Sequence, residues 1–463
     1  MDFRFETDSV GRKKVPAEAY YGVQSLRAKE NFNMTGKSIP AVQIRSLAEI
    51  KKACAVTNAK AGGLDREVAQ AIAEACDEIL NGRFHDQFIV DQIQGGAGTS
   101  TNMNANEVIA NIALGLLGRE KGEYQYCHPN DHVNKAQSTN DVYPTSLKIS
   151  LYRTGLELLD KLNELYEALM AKSREFKDVL KIGRTQLMDA VPITLGQEFH
   201  AYATVVKRDR SRIQNAIKEL LFINMGATAI GTGINASEYY EKHIVSALSE
   251  VSGLPLKPCE DMVDGTQNID GFSVVSSALK TSAISLSKMA NDIRLMNSGP
   301  KAGLGEITIP AKQNGSSIMP GKINPVIPEV LNQCAFAVIG NDVTVSMACE
   351  GGQLELNAFE PVVFNRIFES MTLMINGIDT FVHNCVKDIA ANRQTCEDLL
   401  YHSTGFVTAL CPVIGYKKAA QIAKDFMEEG TPILEGALAC GVSKNQLDRI
   451  LDESRFMPQF ATE

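Results

Sequence analysis

Four stretches of the sequence concentrate hydroxyls, amides and glycines between segments that have helical periodicity. They are QGGAGTSTNMNANE (94–107), HPNDHVNKAQSTND (128–141), GRTQLMDAVPITLGQE (183–198) and QNGSSIMPGKINPVIPE (313–329). Hydroxyl and amide groups are uncharged hydrogen-bond donors, which suit the oxygens of a carboxylate. The last stretch adds one lysine, Lys322, on a segment punctuated by glycine and proline that could move. The combination predicts a pocket for a dicarboxylate in which one hydroxyl is placed for proton transfer.

Each stretch also has a structural alternative when it is taken alone. The glycines before Thr99 fit an ordinary turn and the cap of a helix over 104–117, although backbone N–H groups at a helix start also bind anions. Ser138 and its neighbours could cap the next helix. Residues 185–186 could form a plain loop that ends at Pro192.

Several common kinds of site do not fit the sequence. Histidines and cysteines never cluster at the spacing of zinc ligands, and His128 with His132 fits local hydrogen bonding better than metal binding. No phosphate-binding loop ends in G-K-[ST], and no spacing suggests a Ser-His-Asp triad. The formal net charge of −9 argues against nucleic acid as the main partner, because phosphate binding needs a basic face. We therefore expect a small-molecule substrate, with no metal and no nucleic acid.

The sequence also indicates a compartment. The N-terminal residues lack the basic-then-apolar pattern of a signal peptide, and no run of about 18 apolar residues predicts a membrane span. The ten cysteines, from Cys54 to Cys440, include no C-x-x-C pair, which favours reduced thiols. We expect a cytoplasmic protein without contact to a membrane.

Long helices dominate the middle of the chain. The apolar residues of one helix fall on a single stripe, formed by Leu151, Leu158, Leu162, Leu165 and Leu169. Further long helices are predicted over 206–220, 275–293, 328–348 and 359–390. So many apolar faces on rods of this length exceed what one bundle can bury, so we expect self-association. The alternative is a monomeric helical protein.

The length of 463 residues predicts more than one domain. We expect a mixed, mainly helical domain over 1–140, with helices near 44–61 and 66–81. A bundle of long helices follows over 141–392. A small domain of short helices, interrupted at glycines and prolines, occupies 393–463.

The fourth stretch resembles the signature of a known family. Residues 315–325, GSSIMPGKINP, resemble the G-S-S-x-x-P-x-K-x-N-P signature of the aspartase/fumarase superfamily, and the other stretches are similar to its remaining active-site segments in the same order. The segments VPAEAYYGVQSLRAKENF and KGEYQY resemble the aspartases of that superfamily. Fumarases usually have tryptophan where Tyr21 stands and histidine where Gln186 stands, although some aspartases share that histidine.

The resemblance implies a fold and an activity. The fold would be mainly α with three domains, and the central helical bundles of four subunits would assemble into a homotetrameric core. Each active site would take segments from three subunits. The reaction would convert L-aspartate reversibly to fumarate and ammonia, by abstraction of a Cβ proton and through an aci-carboxylate intermediate, without a cofactor. The alternatives are a fumarate hydratase that acts on L-malate and a catalytically silent structural protein on the same scaffold.

The resemblance also implies roles for particular residues. The catalytic base would be Ser316. The β-carboxylate of the substrate would be bound by Thr99, Ser138, Thr139 and Ser317. The α-carboxylate would be bound by Lys322 and Asn324. The amino group would be positioned by Asn140, Thr185 and Gln186, and the wider network would include His132.

Overall fold

The computed structural model describes residues 2–450, whose regular structure is mainly helical. In chain order the helices are α1 (Val23–Asn31), α2 (Ala41–Lys60), α3 (Arg66–Leu80), α4 (Thr99–Leu116), α5 (Thr139–Glu175), α6 (Leu195–Ala216), α7 (Glu238–Ser252), α8 (Asp264–Gln267), α9 (Asp270–Met296), α10 (Val326–Glu350), α11 (Glu360–Asn384), α12 (Arg393–Tyr401), α13 (Gly405–Ile414), α14 (Tyr416–Glu429), α15 (Ile433–Ala439) and α16 (Lys444–Ile450). The strands are β1 (Phe3–Asp8), β2 (Gly11–Pro16), β3 (Leu180–Thr185), β4 (Met188–Thr194), β5 (Phe222–Ile223), β6 (Lys257–Pro258), β7 (Ile307–Thr308) and β8 (Ala390–Ala391). They form two-stranded pairs, antiparallel in β1–β2, β3–β4 and β7–β8 and parallel in β5–β6. The mainly α class expected from the sequence is confirmed.

The chain divides into two compact units. The first comprises the chain up to Glu157, Arg212–Lys280 and Ala337–Thr372. The second comprises Leu158–Ser211, Thr281–Phe336 and the chain from Leu373 onwards. The domain boundaries expected from the sequence, 1–140, 141–392 and 393–463, stay a prediction. Residues 451–463 of the third expected domain lie outside the described residues.

Packed helices enclose the core of the first unit, in which α2 contacts α3 and α7, and α3 contacts α4. α3 begins where the carboxylate of Asp65 accepts hydrogen bonds from the backbone N–H of Glu67 (2.9 Å) and of Val68 (3.3 Å). The buried residues of α3 then recur at helical spacing and include Ile72, Cys76 and Ile79. The helices predicted near 44–61 and 66–81 are confirmed as α2 and α3.

The leucine stripe predicted for the middle of the chain is also confirmed. The stripe lies on α5, and each of its members has no exposed surface: Leu151, Leu158, Leu162, Leu165 and Leu169. This spacing gives α5 one wholly buried apolar face, which stabilises so long a helix more than its local propensity does.

Some helix ends differ from the predictions. α4 begins at Thr99, five residues earlier than expected, because a glycine turn ends directly before it. α11 ends at Asn384 rather than at 390, because the backbone leaves the helical region at the next residue. Pro412 was predicted to separate two of the short helices near the C-terminus, but it lies inside α13, which ends two residues later at Ile414.

One face of α10 is apolar and exposed. Phe336, Val343 and Met347 are 61%, 58% and 69% exposed, and with Gly340 between them they follow the spacing of a single helix face. The opposite face is buried, since Val338 and Val345 are at most 1% exposed. A helix that is apolar on both faces normally has neighbours on both. Within residues 2–450, no helix combines the length and apolarity needed to cross a lipid bilayer.

Candidate active site

Glycines shape the start of α4, which carries Thr99. Gly98 has a φ of +88°, and a Cβ there would lie 2.3 Å from Cγ of the buried Tyr143 on α5. Only glycine fits this position, because the backbone conformation and the close approach both exclude a side chain. The hydroxyl of Thr99 donates to the carbonyl of Gly96 at 2.7 Å, and Thr99 is exposed. The backbone N–H of Thr99 also donates to the carbonyl of Gly96 at 2.9 Å, and the N–H of Thr101 donates to Oε1 of Gln94 at 3.0 Å. The first stretch therefore caps the start of α4 with its own residues, as the structural alternative expected.

The start of α5 carries the other predicted site residues of the first unit. Oγ of Ser138 accepts the backbone N–H of Asn140 at 3.2 Å, and Oδ1 of Asp141 accepts the N–H of Ser138 at 3.0 Å. The alternative role of Ser138 as a helix cap is therefore confirmed. Capping uses a lone pair of the hydroxyl oxygen and leaves its hydrogen to donate elsewhere. Thr139, the first residue of α5, is buried.

Asp141 lies in the first turn of α5, and its buried carboxylate joins this turn to a segment that sequence analysis missed. Oδ2 of Asp141 accepts the N–H groups of Gly226 (3.3 Å) and Thr228 (3.1 Å). Burial raises the pKa of Asp141 to about 7, although the hydrogen bonds from Ser138 and Thr228 and the charge of Lys51 favour the ionised form. A carboxylate that accepts several backbone N–H groups fixes both segments at once.

The missed segment, residues 224–235, contacts Asn140 directly. Nδ2 of Asn224 donates to the carbonyl of Asn140 at 2.9 Å, and Nδ2 of Asn140 donates to the carbonyl of Ala229 at 2.7 Å. At Gly231 a Cβ would lie 2.4 Å from a backbone atom of another segment, so only glycine fits. The available signal was three glycines beside threonines and asparagines, a composition like that of the four stretches.

A buried lysine is the second feature that sequence analysis missed. Lys51 on α2 has no exposed surface, and its Nζ donates to Oδ1 of Asn102 (2.7 Å), Oδ1 of Asn134 (2.9 Å) and Oε1 of Gln137 (2.8 Å). Burial lowers the pKa of Lys51 to about 8. Nδ2 of Asn102 donates in turn to Oγ1 of Thr139 at 3.2 Å. A lysine within an otherwise apolar helix face was the signal available in the sequence.

In the second unit, Thr185 and Gln186 lie at the tip of the β3–β4 hairpin. Gln186 and Leu187 form a two-residue turn in which both φ angles are positive, +56° and +64°. Such turns normally use asparagine and glycine, because other side chains are strained at positive φ. The alternative of a plain loop ending at Pro192 is wrong, since Pro192 lies within β4. Strain of this kind is often kept where a side chain must be aimed, and Gln186 is exposed at the tip.

Buried charges anchor this hairpin. Arg184 forms an ion pair with Glu306 at 2.8 Å, and Lys181 lies 2.9 Å from the same carboxylate and 2.8 Å from Glu198. Glu306 has no exposed surface. Although burial alone lowers the pKa of Lys181, the attraction of Glu198 and Glu306 raises it, so this lysine stays charged. Arg184 directly precedes Thr185, and its ion pair with the buried Glu306 therefore fixes the end of β3 next to the hairpin turn.

The loop with Ser316 is folded back on itself. A Cβ at Gly315 would lie 1.9 Å from the carbonyl oxygen of Lys322, so the two backbones touch and only glycine fits. Nδ2 of Asn324 donates to the carbonyl of Gly315 at 2.8 Å and closes the loop at its base. Oγ of Ser316 accepts the backbone N–H groups of Ile318 (3.2 Å) and Met319 (2.9 Å). Two N–H groups aimed at one hydroxyl oxygen stabilise negative charge on it.

Within each unit the structure brings predicted residues together. Thr99, Ser138, Thr139 and Asn140 lie at the adjoining starts of α4 and α5. Ser316, Ser317, Lys322 and Asn324 share one loop, in which Lys322 is exposed and forms no ion pair with the described residues. Thr185 and Gln186 share the hairpin tip, and among residues 2–450 no hydrogen bond joins them to the Ser316 loop. The substrate contacts of these residues stay predictions.

The histidines of the second stretch have structural roles. Nδ1 of His132 accepts the N–H of His128 at 2.8 Å, and burial lowers the pKa of His132, so its ring is neutral. Nδ1 of His128 accepts the N–H of Asn130 at 3.1 Å and caps a short helical turn. The local hydrogen bonding expected for both histidines is confirmed.

Among residues 2–450, one group of side chains has the spacing of metal ligands. Glu164, Asp379 and His383 place their ligand atoms within 4.8 Å of one another. Nζ of Lys161 lies 2.6 Å from Asp379 and 3.2 Å from Glu164, and Lys387 lies 3.4 Å from Glu164. These ammonium groups already neutralise the carboxylates, so the cluster is held by ion pairs of its own.

Comparison with known proteins points in one direction. The chain matches the family model described as Lyase over residues 11–340 and the one described as Fumarase C C-terminus over residues 406–457. It is 49% identical to an aspartate ammonia-lyase from Helicobacter pylori over 461 residues, which cover 99% of this chain and 98% of the relative. A fumarate lyase:delta crystallin from Brucella melitensis, solved with cobalt, has 47% identity and a TM-score of 0.96 over 99% of this chain and 100% of that chain. The class II fumarase from Schistosoma mansoni has 33% identity and a TM-score of 0.93 over the same shares.

The strained hairpin turn allows a test of stability. Leu187→Gly should raise the free energy of unfolding by about 1 kcal/mol, because glycine adopts positive φ without strain and the leucine is 74% exposed. The matched control is Met188→Gly in the adjoining strand, where 71% exposure is similar but the backbone is extended. The control should lower stability by roughly 0.5–1 kcal/mol. Denaturant unfolding of both variants measures the difference, and a loss of stability in Leu187→Gly would contradict the strained turn.

Proposed function

Because the chain belongs to the aspartase/fumarase superfamily, we propose that it is an aspartate ammonia-lyase, which converts L-aspartate reversibly to fumarate and ammonia. The observation that carries this proposal is the 49% identity to an aspartate ammonia-lyase over 99% of the chain. The likeness to the class II fumarase extends as far along the chain but reaches only 33% identity. The enzyme is accordingly a carbon–nitrogen lyase.

The chemical difficulty of this reaction is the proton on Cβ, which is only weakly acidic. Its removal leaves an electron pair that the adjacent β-carboxylate takes up as an aci-carboxylate, and this group then carries two negative charges. Expulsion of the amine from Cα returns the electron pair to form the double bond of fumarate. The barrier therefore falls most when donors aimed at the β-carboxylate strengthen their bonds as its charge grows.

The adjoining starts of α4 and α5 support such a donor set. Ser138 and Thr139 offer hydroxyls to the β-carboxylate, and Thr99 would exchange its hydrogen bond to the carbonyl of Gly96 for one to the substrate. Ser317 of the loop is the fourth donor in our proposal. Hydroxyls add no charge that would over-stabilise the bound substrate, but they respond to the charge that develops later. Each such donor is worth roughly 2.7–4 kcal/mol of transition-state stabilisation.

Ser316 is the proposed base. A serine hydroxyl is a weak base at neutral pH, so it must act as an alkoxide that its surroundings stabilise. The N–H groups of Ile318 and Met319 already point at its Oγ. The Ser316 alkoxide takes the Cβ proton, and the substrate's amino group, bound as ammonium, leaves Cα as ammonia. Ammonia then accepts the proton of the Ser316 hydroxyl and departs as ammonium, which restores the alkoxide.

The remaining predicted residues would hold the other end of the substrate. Lys322 would supply a cation for the α-carboxylate, and Asn324 would donate to the same group with the second hydrogen of its Nδ2, keeping its bond to Gly315. Asn140, Thr185 and Gln186 would surround the amino group. Acid–base steps alone carry this scheme, so we propose no cofactor.

We further propose a homotetramer whose active sites combine segments of three subunits. The apolar exposed face of α10, formed by Phe336, Val343 and Met347, supports self-association, since such a face is normally covered. We place the enzyme in the cytoplasm, a proposal supported by ten free thiols.

The first test of function compares two substrates. Purified protein should form fumarate from L-aspartate, followed by ultraviolet absorbance, and should form little or none from L-malate. Turnover of malate without turnover of aspartate would favour the fumarate hydratase alternative. Absence of both activities, with the protein folded and tetrameric, would favour a silent structural protein.

The second test addresses the base. Ser316→Ala should lower kcat by roughly 10²–10⁴-fold, the usual contribution of a general base, and should abolish exchange of the Cβ proton with solvent. The control Ser211→Ala removes an exposed hydroxyl and should change neither quantity. Unchanged Cβ exchange in Ser316→Ala would assign the base to another residue.

The third test addresses the assembly. Four chains of 50.4 kDa give 4 × 50.4 = 201.6 kDa, and light scattering of the wild-type protein should return that mass. Met347→Lys on the apolar face of α10 should shift the mass towards smaller species and abolish aspartate turnover, because shared sites are lost. The matched control is Met427→Lys on α14, where the methionine is 76% exposed; this variant should remain tetrameric and active. A Met347→Lys protein that dissociates but stays fully active would refute shared sites.

A further inference from the structure

Lys51 is a buried cation whose surroundings are unusual. All three hydrogen bonds of its ammonium group go to neutral amide oxygens, those of Asn102, Asn134 and Gln137. Buried charges are normally paired with an opposite charge. Among the described residues Lys51 forms no ion pair, and the carboxylate of Asp141 acts on it only through space. The positive charge of Lys51 is therefore not neutralised by an ion pair and can stabilise an anion bound in the neighbouring pocket.

The hydrogen bonds around Lys51 have a fixed direction. An ammonium group can only donate, so Asn102 must turn its carbonyl oxygen towards Lys51 and its Nδ2 away. That Nδ2 donates to Oγ1 of Thr139 at 3.2 Å and to Oδ1 of Asn134 at 3.1 Å, which agrees with the same orientation. The lysine thus removes the ambiguity that an asparagine amide would otherwise have.

This direction decides what the hydroxyl of Thr139 can do. Because Oγ1 of Thr139 accepts a hydrogen bond from Asn102, its own hydrogen is left to donate outwards. A hydroxyl that must donate is preorganised for an oxyanion, whereas one that rotates freely has to reorient during the reaction. The chain of donors therefore runs from Lys51 through Asn102 to Thr139.

Lys51 also connects the two helix starts. Asn102 lies on α4, three residues after Thr99, while Asn134 and Gln137 lie on the segment that leads into Ser138. Nδ2 of Asn134 donates to the carbonyl of Gln137 at 3.2 Å, so the oxygens around the ammonium group belong to one connected network. Loss of the cation would leave these buried oxygens without their common donor.

We propose that Lys51 is a positioning residue for the β-carboxylate pocket, which sets the donor direction of Thr139 through Asn102 and adds positive charge behind the developing aci-carboxylate. The proposal rests on the function proposed above. It predicts that Lys51 contributes little to the affinity for the substrate itself and much to the stabilisation of the negative charge that develops during deprotonation.

The decisive variant is Asn102→Asp, which is nearly isosteric. Its carboxylate would pair with Lys51 and neutralise the cation, and having no hydrogen to donate it would accept the hydroxyl hydrogen of Thr139. Lys51→Met removes the cation outright. The matched control is Lys172→Met, which removes another buried lysine that donates to Glu175 and to the carbonyl of Ile389.

The readouts separate positioning from general damage. We expect Asn102→Asp to lower kcat for L-aspartate by about 10²-fold, while KM changes by less than about threefold. The nitronate of 3-nitropropionate carries the extra charge of an aci-carboxylate, and succinate does not. The affinity for the nitronate should fall by the same factor as kcat, and the affinity for succinate should hold. Lys172→Met should leave all of these quantities unchanged.

The outcomes can be told apart. A wild-type protein that does not turn over L-aspartate refutes the proposed function before any variant is compared. An active wild type with a folded Asn102→Asp variant of unchanged kcat overturns the role of Lys51. Equal losses of affinity for succinate and the nitronate also overturn it, since they indicate a damaged pocket rather than a reversed donor. If Lys51→Met does not fold, Asn102→Asp alone decides.

Discussion

The direction of hydrogen bonds at the starts of α4 and α5 is the constraint on which the rest of the site depends. A hydroxyl can donate or accept, and only its partners decide which it does. Oγ1 of Thr139 accepts a hydrogen bond from Nδ2 of Asn102. Oδ1 of Asn102 in turn accepts a hydrogen bond from the ammonium group of Lys51, which can only donate. The glycine turn before Thr99 allows the backbone at Gly98 to pack against Tyr143 of α5, which keeps the two helix starts close enough for this order to hold.

Charges lie behind the reactive groups in both units rather than among them. In the first unit a lysine underlies the donors, and in the second unit Arg184 and Lys181 with Glu306 hold the hairpin tip from behind. A full charge in contact with the substrate would bind the ground state as strongly as the transition state. In our proposal, neutral donors in contact with the substrate and charges buried behind them avoid that loss. Lys322 would be the exception, at the end of the substrate whose charge stays constant.

Much of the fold was readable in the sequence because its signals are local. The leucine stripe of α5 involves residues within one helix, so periodicity and residue type identify it. The segment 224–235 and Lys51 were missed because their importance lies in partners far along the chain. Lys51 meets its three oxygens 51, 83 and 86 residues away, and no spacing rule connects such positions. The resemblance of residues 315–325 to a family signature supplied what spacing could not.

The contact between the backbones of Gly315 and Lys322 has a consequence for motion. With no side chain at Gly315 and the amide of Asn324 bonded to its carbonyl, the residues between them form a cinched ring. A ring closed in this way would move as one body about its flanks, so closing over a substrate would cost little conformational entropy. The hinges of such a movement would lie outside the ring, and the internal geometry of the ring, including the two N–H groups that face Ser316, would be kept.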